Sequence, residues 1–491
     1  MMEISSQNTI EKSISCLLFP IAKTDAVKDQ LAKAARLAGQ GSELLSADFT
    51  GAAGEKTTLY GNGLKIHLIG LGEPKNWADL IKPFRSFSHK QAAQLSAATG
   101  VWLGGLTSAQ ALRRAEAAAH GLLLGTYQLG RFRQEPAGQE HPLAQEGAQL
   151  MFFGESLSAE EVTAAGQKGL HLAATQMQMM DLVNAPSNYK TPEMLASWAL
   201  ASGEAHGYSV KVLDKAAIQQ EGLHALLAVN RGSEVEPRFI IMEYQGQGGN
   251  LPKIGLVGKG VTFDTGGVSI KPSTNMHYMK SDMGGAAAVL GTMEAAAKLR
   301  LPVHLIGIVP ATDNCVDANA IKPGDVIGSY SGKTIEVTDT DAEGRLILAD
   351  GIAYMLKHYA PDTLIDLATL TGSAVRTFGY HAAALFSSSE SLQQQLMALG
   401  EAAGERVWPL PLWEVYEEDL KSDTADVRNF SGRPMAGAIN AAKFLEFFTH
   451  QHPNWAHLDI AGVAFGDNEF SVQKSASGYG LRLLTAFLET F

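Results

Sequence analysis

Four carboxylates stand in turn-like stretches where a chain has little structural use for them: Asp264, Asp282, Asp341 and Glu343. Each lies among glycines, threonines and other small residues, which let a backbone bend and approach a ligand closely. Several hard oxygen donors converging on one place suit a pair of divalent cations, which share carboxylates at separations of roughly 3.5–4 Å. The same segments carry Lys259, Lys271 and Arg345, which a plain acidic cage does not need. Beside dications a lysine either loses its proton and ligates, or stays charged and stabilises an oxyanion. Arg345 offers a planar fork to a small carboxylate-like anion. Ion pairing with the acids accounts for these cations equally well, and spacing leaves the readings open.

Ordinary structural duties compete with this chemistry. Asp282 precedes an alanine-rich helix pattern over Gly284–Leu299 and fits an N-cap. Thr340-Asp-Ala-Glu343 precedes a helical pattern over Arg345–Leu356 and fits a capping box. Taken singly, each acid favours the structural duty; all of them falling after strand candidates favours a site. After Asp264, the turn signal Thr265-Gly266-Gly267 is expected to bring Lys271 back alongside Lys259 and Asp264. Rival motifs fail. Gly328-Ser-Tyr-Ser-Gly-Lys-Thr334 is one position short of a phosphate-cradling P-loop, so a nucleotide-binding phosphotransferase is the weaker alternative. The glycines Gly255, Gly258 and Gly260 fall in the wrong order for a dinucleotide fingerprint. Neither HExxH nor GxSxG occurs, so single-zinc and serine-nucleophile peptidase readings lose their main supports.

The elements that must position these residues are short apolar runs alternating with helical patterns. In the first third, strands are expected at Ser13–Pro20, Gly63–Leu71 and Gln149–Phe153, and helices at Ala26–Ala38, around His89–Ala98 and at Ser108–Leu124. His120 and His141 there read as structural or surface histidines. Ser158–Val183 is a long helical pattern opening on a capping box, Ser158-Ala-Glu-Glu161, and stopped by Asn184-Ala-Pro186. Strand candidates follow at Tyr208–Leu213, Phe239–Tyr244, Ile254–Val257, Val303–Val309, Ile335–Thr338, Leu364–Leu367 and Ala456–Ile460. Their β-branched, apolar composition suits strands buried on both faces of a mostly parallel sheet, whose ligands bind beyond the carboxyl ends. The expected architecture is α/β: a smaller N-terminal α/β domain over residues 1–157, a linking helix over 158–183, and a catalytic α/β domain over 184–491.

The chain of 491 residues is too long for a single typical core, and its 45% hydrophobic and 18% charged residues are ordinary globular values. A net charge of −12 argues against nucleic acid as the default partner, because phosphate binding needs a basic patch. No apolar run reaches the ~18 residues of a membrane span. The first residues lack a basic segment and a small-residue cleavage site, so the expected location is cytoplasmic. Cys16 and Cys315, the only cysteines, make neither a disulfide framework nor a cysteine zinc site.

The segments VGKGVTFDTGG, SIKP, MKSDMGGAAAV, TDAEGRL and ATLTG, extended by DVRNFSGRP and HLDIAGVA, closely resemble the leucine aminopeptidase (cytosol aminopeptidase) family. The likeness covers most of residues 180–491 in the family's order, and TDAEGRL is highly specific to it; the N-terminal third is similar in length and pattern. The resemblance implies a dinuclear-metal aminopeptidase that removes N-terminal residues, leucine and other apolar ones, from peptides with a free N-terminus. It implies two divalent ions per subunit (Mn²⁺ or Zn²⁺, with Mg²⁺ as a further candidate) and a homohexamer. Lys259, Asp264, Asp282, Asp341 and Glu343 match the family's metal ligands, with Asp264 and Glu343 bridging. Lys271 and Arg345 match the catalytic positions, Arg345 holding a bicarbonate that relays protons. Met279, Thr369, Gly372, Ala461 and Ala464 match positions lining the pocket for the first side chain. Asp339 stands where the family usually has asparagine and adds an acid. Ala464 stands where several members carry methionine, which is expected to leave room for bulkier residues. A secondary DNA-binding role, known among bacterial relatives, is set against the net charge.

Overall fold

The structure is a computed structural model that describes residues 2–10, 14–42, 45–134, 140–155 and 157–491. The chain divides into two compact units, one comprising Met1–Met177 with Ala402–Gly404 and the other Gln178–Glu401 with Glu405–Phe491. The long helix Ala159–Asn184 supplies residues to both. At its start Ser158 Oγ accepts the Glu161 N–H at 3.3 Å, one half of the expected capping box.

The N-terminal unit is a six-stranded sheet in the order Glu3–Gln7, Gln149–Phe153, Ala98–Trp102, Cys16–Ala22, Leu64–Gly72 and Lys56–Gly61. All its neighbours are parallel except the last pair. Cys16–Ala22 is buried at every position, as a central strand covered on both faces should be. Ser13, at the start of that expected strand, lies outside the described residues. The helix expected around His89–Ala98 is displaced. The observed helix is Trp77–Lys90, which contains Pro83 and is capped by Asn76, whose side chain accepts the Asp79 N–H at 2.9 Å. Ala98 instead opens the strand Ala98–Trp102, because two parallel neighbours pair with a segment whose alanines read as helical in isolation. His141 is buried, accepting the Leu143 N–H through Nδ1 and bonded to Ser88 through Nε2, a structural duty.

The second unit is built on a nine-stranded mixed sheet. Its centre is a parallel block, Trp455–Asp459, Thr363–Ala368, Lys253–Gly258 and His304–Asn314, with Gly260–Asp264 paired in parallel to the last. Antiparallel strands Arg238–Gln245 and Ser209–Leu213 close one side. The other side is closed by Ala383–Ser387, antiparallel to Trp455–Asp459, and by Val407–Pro409. Helices Gly284–Leu299 and Glu343–Tyr359 pack on the central strands, and both are buried along most of their length.

One expected strand sits elsewhere. Thr334–Val337 belongs to a separate three-stranded sheet with Asp325–Gly328 and Val427–Arg428, not to the main sheet. Its alternating burial marks it as a one-sided strand, whereas the central ones are covered on both faces. Asp341 and Glu343 are therefore delivered to the site from a different layer than Asp264.

Candidate active site

The carboxyl ends of the central parallel strands converge on one place. Lys259 follows Lys253–Gly258, Asp264 ends Gly260–Asp264, Asn314 ends His304–Asn314, Thr369 follows Thr363–Ala368, and Asp459 ends Trp455–Asp459. The residues after them line a cavity of about 580 Å³. Of the twelve residues singled out in the sequence, eleven line it; Ala464 is buried outside the lining, set against Gly284.

Two lysines cross-brace four acids. Lys259 Nζ lies 2.7 Å from Asp282 Oδ2 and 2.9 Å from Glu343 Oε1, and donates to the Thr369 carbonyl at 3.1 Å. Lys271 Nζ lies 2.7 Å from Asp264 Oδ2 and 2.5 Å from Asp341 Oδ1. The loop that returns Lys271 needs Gly266 and Gly267, at φ +88° and +63°. A Cβ at Gly266 would stand 2.7 Å from Asp341 Oδ1. Gly344 makes a comparable allowance, since a Cβ there would meet Lys259 Cε at 2.4 Å.

The bland duties weighed for the acids are not what these residues perform. Helix Gly284–Leu299 starts from Met283 and helix Glu343–Tyr359 from Ala342, both without a side-chain cap. Asp282 Oδ1 instead accepts from Thr369 Oγ1 at 2.8 Å. Thr340 Oγ1 donates to the Gly266 carbonyl at 2.7 Å and accepts the Ser269 N–H at 2.8 Å, which ties the lysine loop to the TDAEGR segment.

Carboxylate oxygens of Asp264, Asp341 and Glu343 fall within 4.8 Å of one another, close enough to share a metal ion. Glu343 Oε2 is buried with no hydrogen-bond partner, as is Arg345 Nε. Burial pushes Asp264 and Asp282 above the usual carboxylate range and Asp341 up to about 7, with neighbouring acids adding to the rise. Burial also pushes on Glu343, but Lys259 and Lys271 outweigh it and hold this carboxyl low. Both lysines sit above their ordinary range, because the carboxylates outweigh their own desolvation. Four buried or half-buried acids against two engaged ammonium groups leave a deficit of positive charge. That donor set, hard oxygens with an orphaned lone pair, fits divalent cations.

Polar residues without sequence periodicity hold this arrangement, and reading the sequence passed over them. Asn429 is fully buried: its carbonyl accepts Arg345 Nη1 at 2.7 Å, and its side chain bonds the backbone of Thr338, Asp339 and Ala342. Asn314 donates to Asp264 Oδ1 at 2.8 Å and to the Thr340 carbonyl at 3.1 Å. Asp459 accepts the backbone N–H groups of Leu370, Thr371 and Ala461 and the Thr371 hydroxyl, fixing the turn before Gly372. Lys190 is 1% exposed and donates to the carbonyls of Lys280 and Val183, while Lys280 donates to the Asn184 carbonyl at 2.9 Å. Asn429 and Asp459 lie inside the segments DVRNFSGRP and HLDIAGVA, whereas Asn314 and Lys190 lie in none of the quoted segments. The glycine-rich Gly328–Thr334 stretch is the turn of a hairpin between Asp325–Gly328 and Thr334–Val337, not a strand-to-helix phosphate loop.

Residues 178–485 match the model of the cytosol aminopeptidase family's catalytic domain, and residues 20–136 match that of its N-terminal domain. The chain belongs to the cytosol aminopeptidase family. It is 40% identical to a probable cytosol aminopeptidase of Chloroherpeton thalassium over the whole of both chains. It is 43% identical to one from Chlorobaculum tepidum over 90% of each. Among solved structures, a tomato leucine aminopeptidase mutant superposes with a TM-score of 0.86 at 31% identity, covering 100% of this chain and 97% of that one. The bottromycin maturation enzyme BotP in complex with Mn gives 0.82 at 31% identity, covering 97% and 99%. As a cytosol aminopeptidase family member the chain is a metal-dependent aminopeptidase acting on peptides, with the two-domain α/β architecture expected. The phosphotransferase alternative finds no support in the hairpin or in these relatives.

Proposed function

We propose that this protein removes leucine and other apolar N-terminal residues from peptides, with two divalent ions held by Lys259, Asp264, Asp282, Asp341 and Glu343. The observation that carries the reading is the cross-bracing of those acids by two lysines at the floor of one cavity. Asp264 and Glu343 would be shared between the ions, which would be Mn²⁺ or Zn²⁺, with Mg²⁺ as a third candidate. When bound, the ions supply an activated water at neutral pH and a Lewis acid for the scissile carbonyl. Residues 1–157 form the proposed N-terminal domain, 158–183 the link and 184–491 the catalytic domain.

The chain's own residues carry the rest. Lys259 ligates as a neutral amine, so metal binding releases its proton and weakens as pH falls. Lys271 keeps its charge and donates to the oxygen that becomes negative as the carbonyl carbon turns tetrahedral. Arg345, buried and with Nε unpartnered, would hold a bicarbonate, which would supply a proton relay where no side-chain base stands. Met279, Thr369, Gly372 and Ala461 line the wall that receives the first side chain. Ala464 backs that wall through Gly284, so its small size bears on selectivity indirectly. The proposed enzyme is a cytoplasmic homohexamer. Among the described residues no helix is long and apolar enough to cross a membrane.

Leucine p-nitroanilide tests the reading. Chelator should abolish release of the chromophore and added Mn²⁺ or Zn²⁺ should restore it. Absence of metal-restorable release from a panel of aminoacyl substrates would sink it.

A further inference from the structure

Two lysines cross between the end of a long helix and the turn that carries Met279. Lys190 stands between helices Ala159–Asn184 and Pro192–His206 and is 1% exposed. Its ammonium donates to the carbonyl of Val183 at 3.2 Å and to that of Lys280. Lys280, in the 3₁₀ turn Met276–Ser281, reaches the opposite way and donates to the Asn184 carbonyl at 2.9 Å. Val183 and Asn184 close their helix, whose last carbonyls lack intrahelical partners and hold the negative end of its dipole. Asn184 is itself anchored, its Oδ1 accepting the Ala476 N–H at 2.9 Å. A lysine buried this completely needs partners, and the partners it has tie one backbone to another.

We propose that Lys190 and Lys280 are positioning residues that set the pocket for the first side chain by fixing the backbone that presents Met279. The inference rests on the aminopeptidase reading and on the place of Met279 in that pocket. Met279 lines the cavity and is the residue next to Lys280. The stretch before it, residues 272–275, is exposed, and the turn's own hydrogen bonds are local: Met276 N–H to the Ser273 carbonyl and Tyr278 N–H to the Asn275 carbonyl. The far end of the turn is where the lysines hold it. Asp282, two residues beyond Lys280, has supports of its own, since Oδ1 accepts from Thr369 Oγ1 at 2.8 Å and Oδ2 lies 2.7 Å from Lys259 Nζ. A thioether side chain has no comparable tether, so its place follows its backbone. Loss of the exchange should therefore fall on selectivity before it falls on metal binding.

The test uses full-length, Mn²⁺-loaded protein with leucine and alanine p-nitroanilides, and reads the ratio of their kcat/KM values beside bound Mn²⁺. Lys190→Met keeps the apolar stem and removes the donor. The preference for leucine should fall by about fivefold, mainly through KM, somewhat less than the ~10-fold that a whole methylene is worth in an apolar pocket. Bound Mn²⁺ should stay at the wild-type level. Lys280→Met, at a half-buried position, should move the ratio in the same direction, and Lys280→Arg, which still carries a donor for the Asn184 carbonyl, should keep it. If Lys190→Met does not fold, the two Lys280 variants decide. A ratio that stays at the wild-type value in the folded methionine variants overturns the proposal, whether or not both rates or the metal content fall. Met279→Ala is the reference, and an unchanged ratio there overturns the place given to Met279 as well. Failure of the wild type to release p-nitroaniline from either substrate overturns the aminopeptidase reading itself.

Discussion

The backbone carbonyl of Asn429 accepts Arg345 Nη1 at 2.7 Å, while its side chain accepts the Thr338 N–H at 2.9 Å and donates to the Asp339 carbonyl. One residue therefore sets both the arginine and the loop that carries Asp341. Asn429→Ala leaves several buried backbone groups unpaired, each costing about 1–3 kcal/mol. Turnover should fall by roughly 10- to 100-fold, as misplacing catalytic groups by about an ångström does. Steady-state kinetics beside urea unfolding checks both effects.

Gly344→Ala strikes the site and the fold together. A methyl there occupies the space of Lys259 Cε and Nζ, at 2.4 and 2.6 Å. Lys259 is pinned by two acids and a carbonyl and cannot yield without leaving them. Breaking a buried ion pair costs about 3–5 kcal/mol, which outweighs the gain of about 0.5–1 kcal/mol that alanine brings to a helix. Metal content by atomic spectroscopy and peptidase activity should both collapse, and the melting temperature should fall.

Lys271→Ala should lower turnover by roughly 10²- to 10³-fold, the usual cost of removing one oxyanion donor. Bound metal should stay near the wild-type level, because Lys271 pairs with Asp264 and Asp341 without being assigned as a ligand. An equal loss of metal in this variant would make the lysine a ligand instead.

Asp350 gives the fold a pH dependence apart from catalysis. It is wholly buried, its oxygens accepting the N–H groups of Leu226 at 3.0 Å and Tyr330 at 2.8 Å, and burial pushes its carboxyl up to about 7. Between the unfolded value near ~3.9 and about 7, the folded state keeps a proton that the unfolded chain has lost. Stability should therefore fall as pH rises through that window, by about 4 kcal/mol for this group, and level off above it. Asp350→Asn should flatten the slope in urea unfolding between pH 4.5 and 8, at some cost at the acid end.

How much of this was legible in the sequence follows from the kind of signal each residue gives. Asp264, Asp282, Asp341 and Glu343 stood out because carboxylates in glycine-rich turns after apolar runs have few structural uses. The lysines did not resolve that way, since an ion pair explains a lysine beside an acid as well as ligation does. Only likeness to a known family separated the two. Asn429, Asn314 and Asp459 were silent because a polar residue that satisfies distant backbone groups has no period and no spacing to betray it. The strand expected at Ile335–Thr338 falls in with the main-sheet candidates because a four-residue strand shows too little alternation to reveal which face is covered. The helix at Trp77–Lys90 was obscured by Pro83, and the strand Ala98–Trp102 by the alanines at 92, 93 and 97 that precede it and by strand partners far along the chain.

Gly344 is held bare by one atom group, the end of the Lys259 side chain. The two positions are therefore yoked in descent: while a lineage keeps the lysine, every codon change at 344 that adds a side chain is purged. Once the lysine goes, the three atoms nearest to a side chain at 344 go with it. Relatives that have abandoned the chemistry should betray themselves by drifting at both positions together, long before their folds diverge.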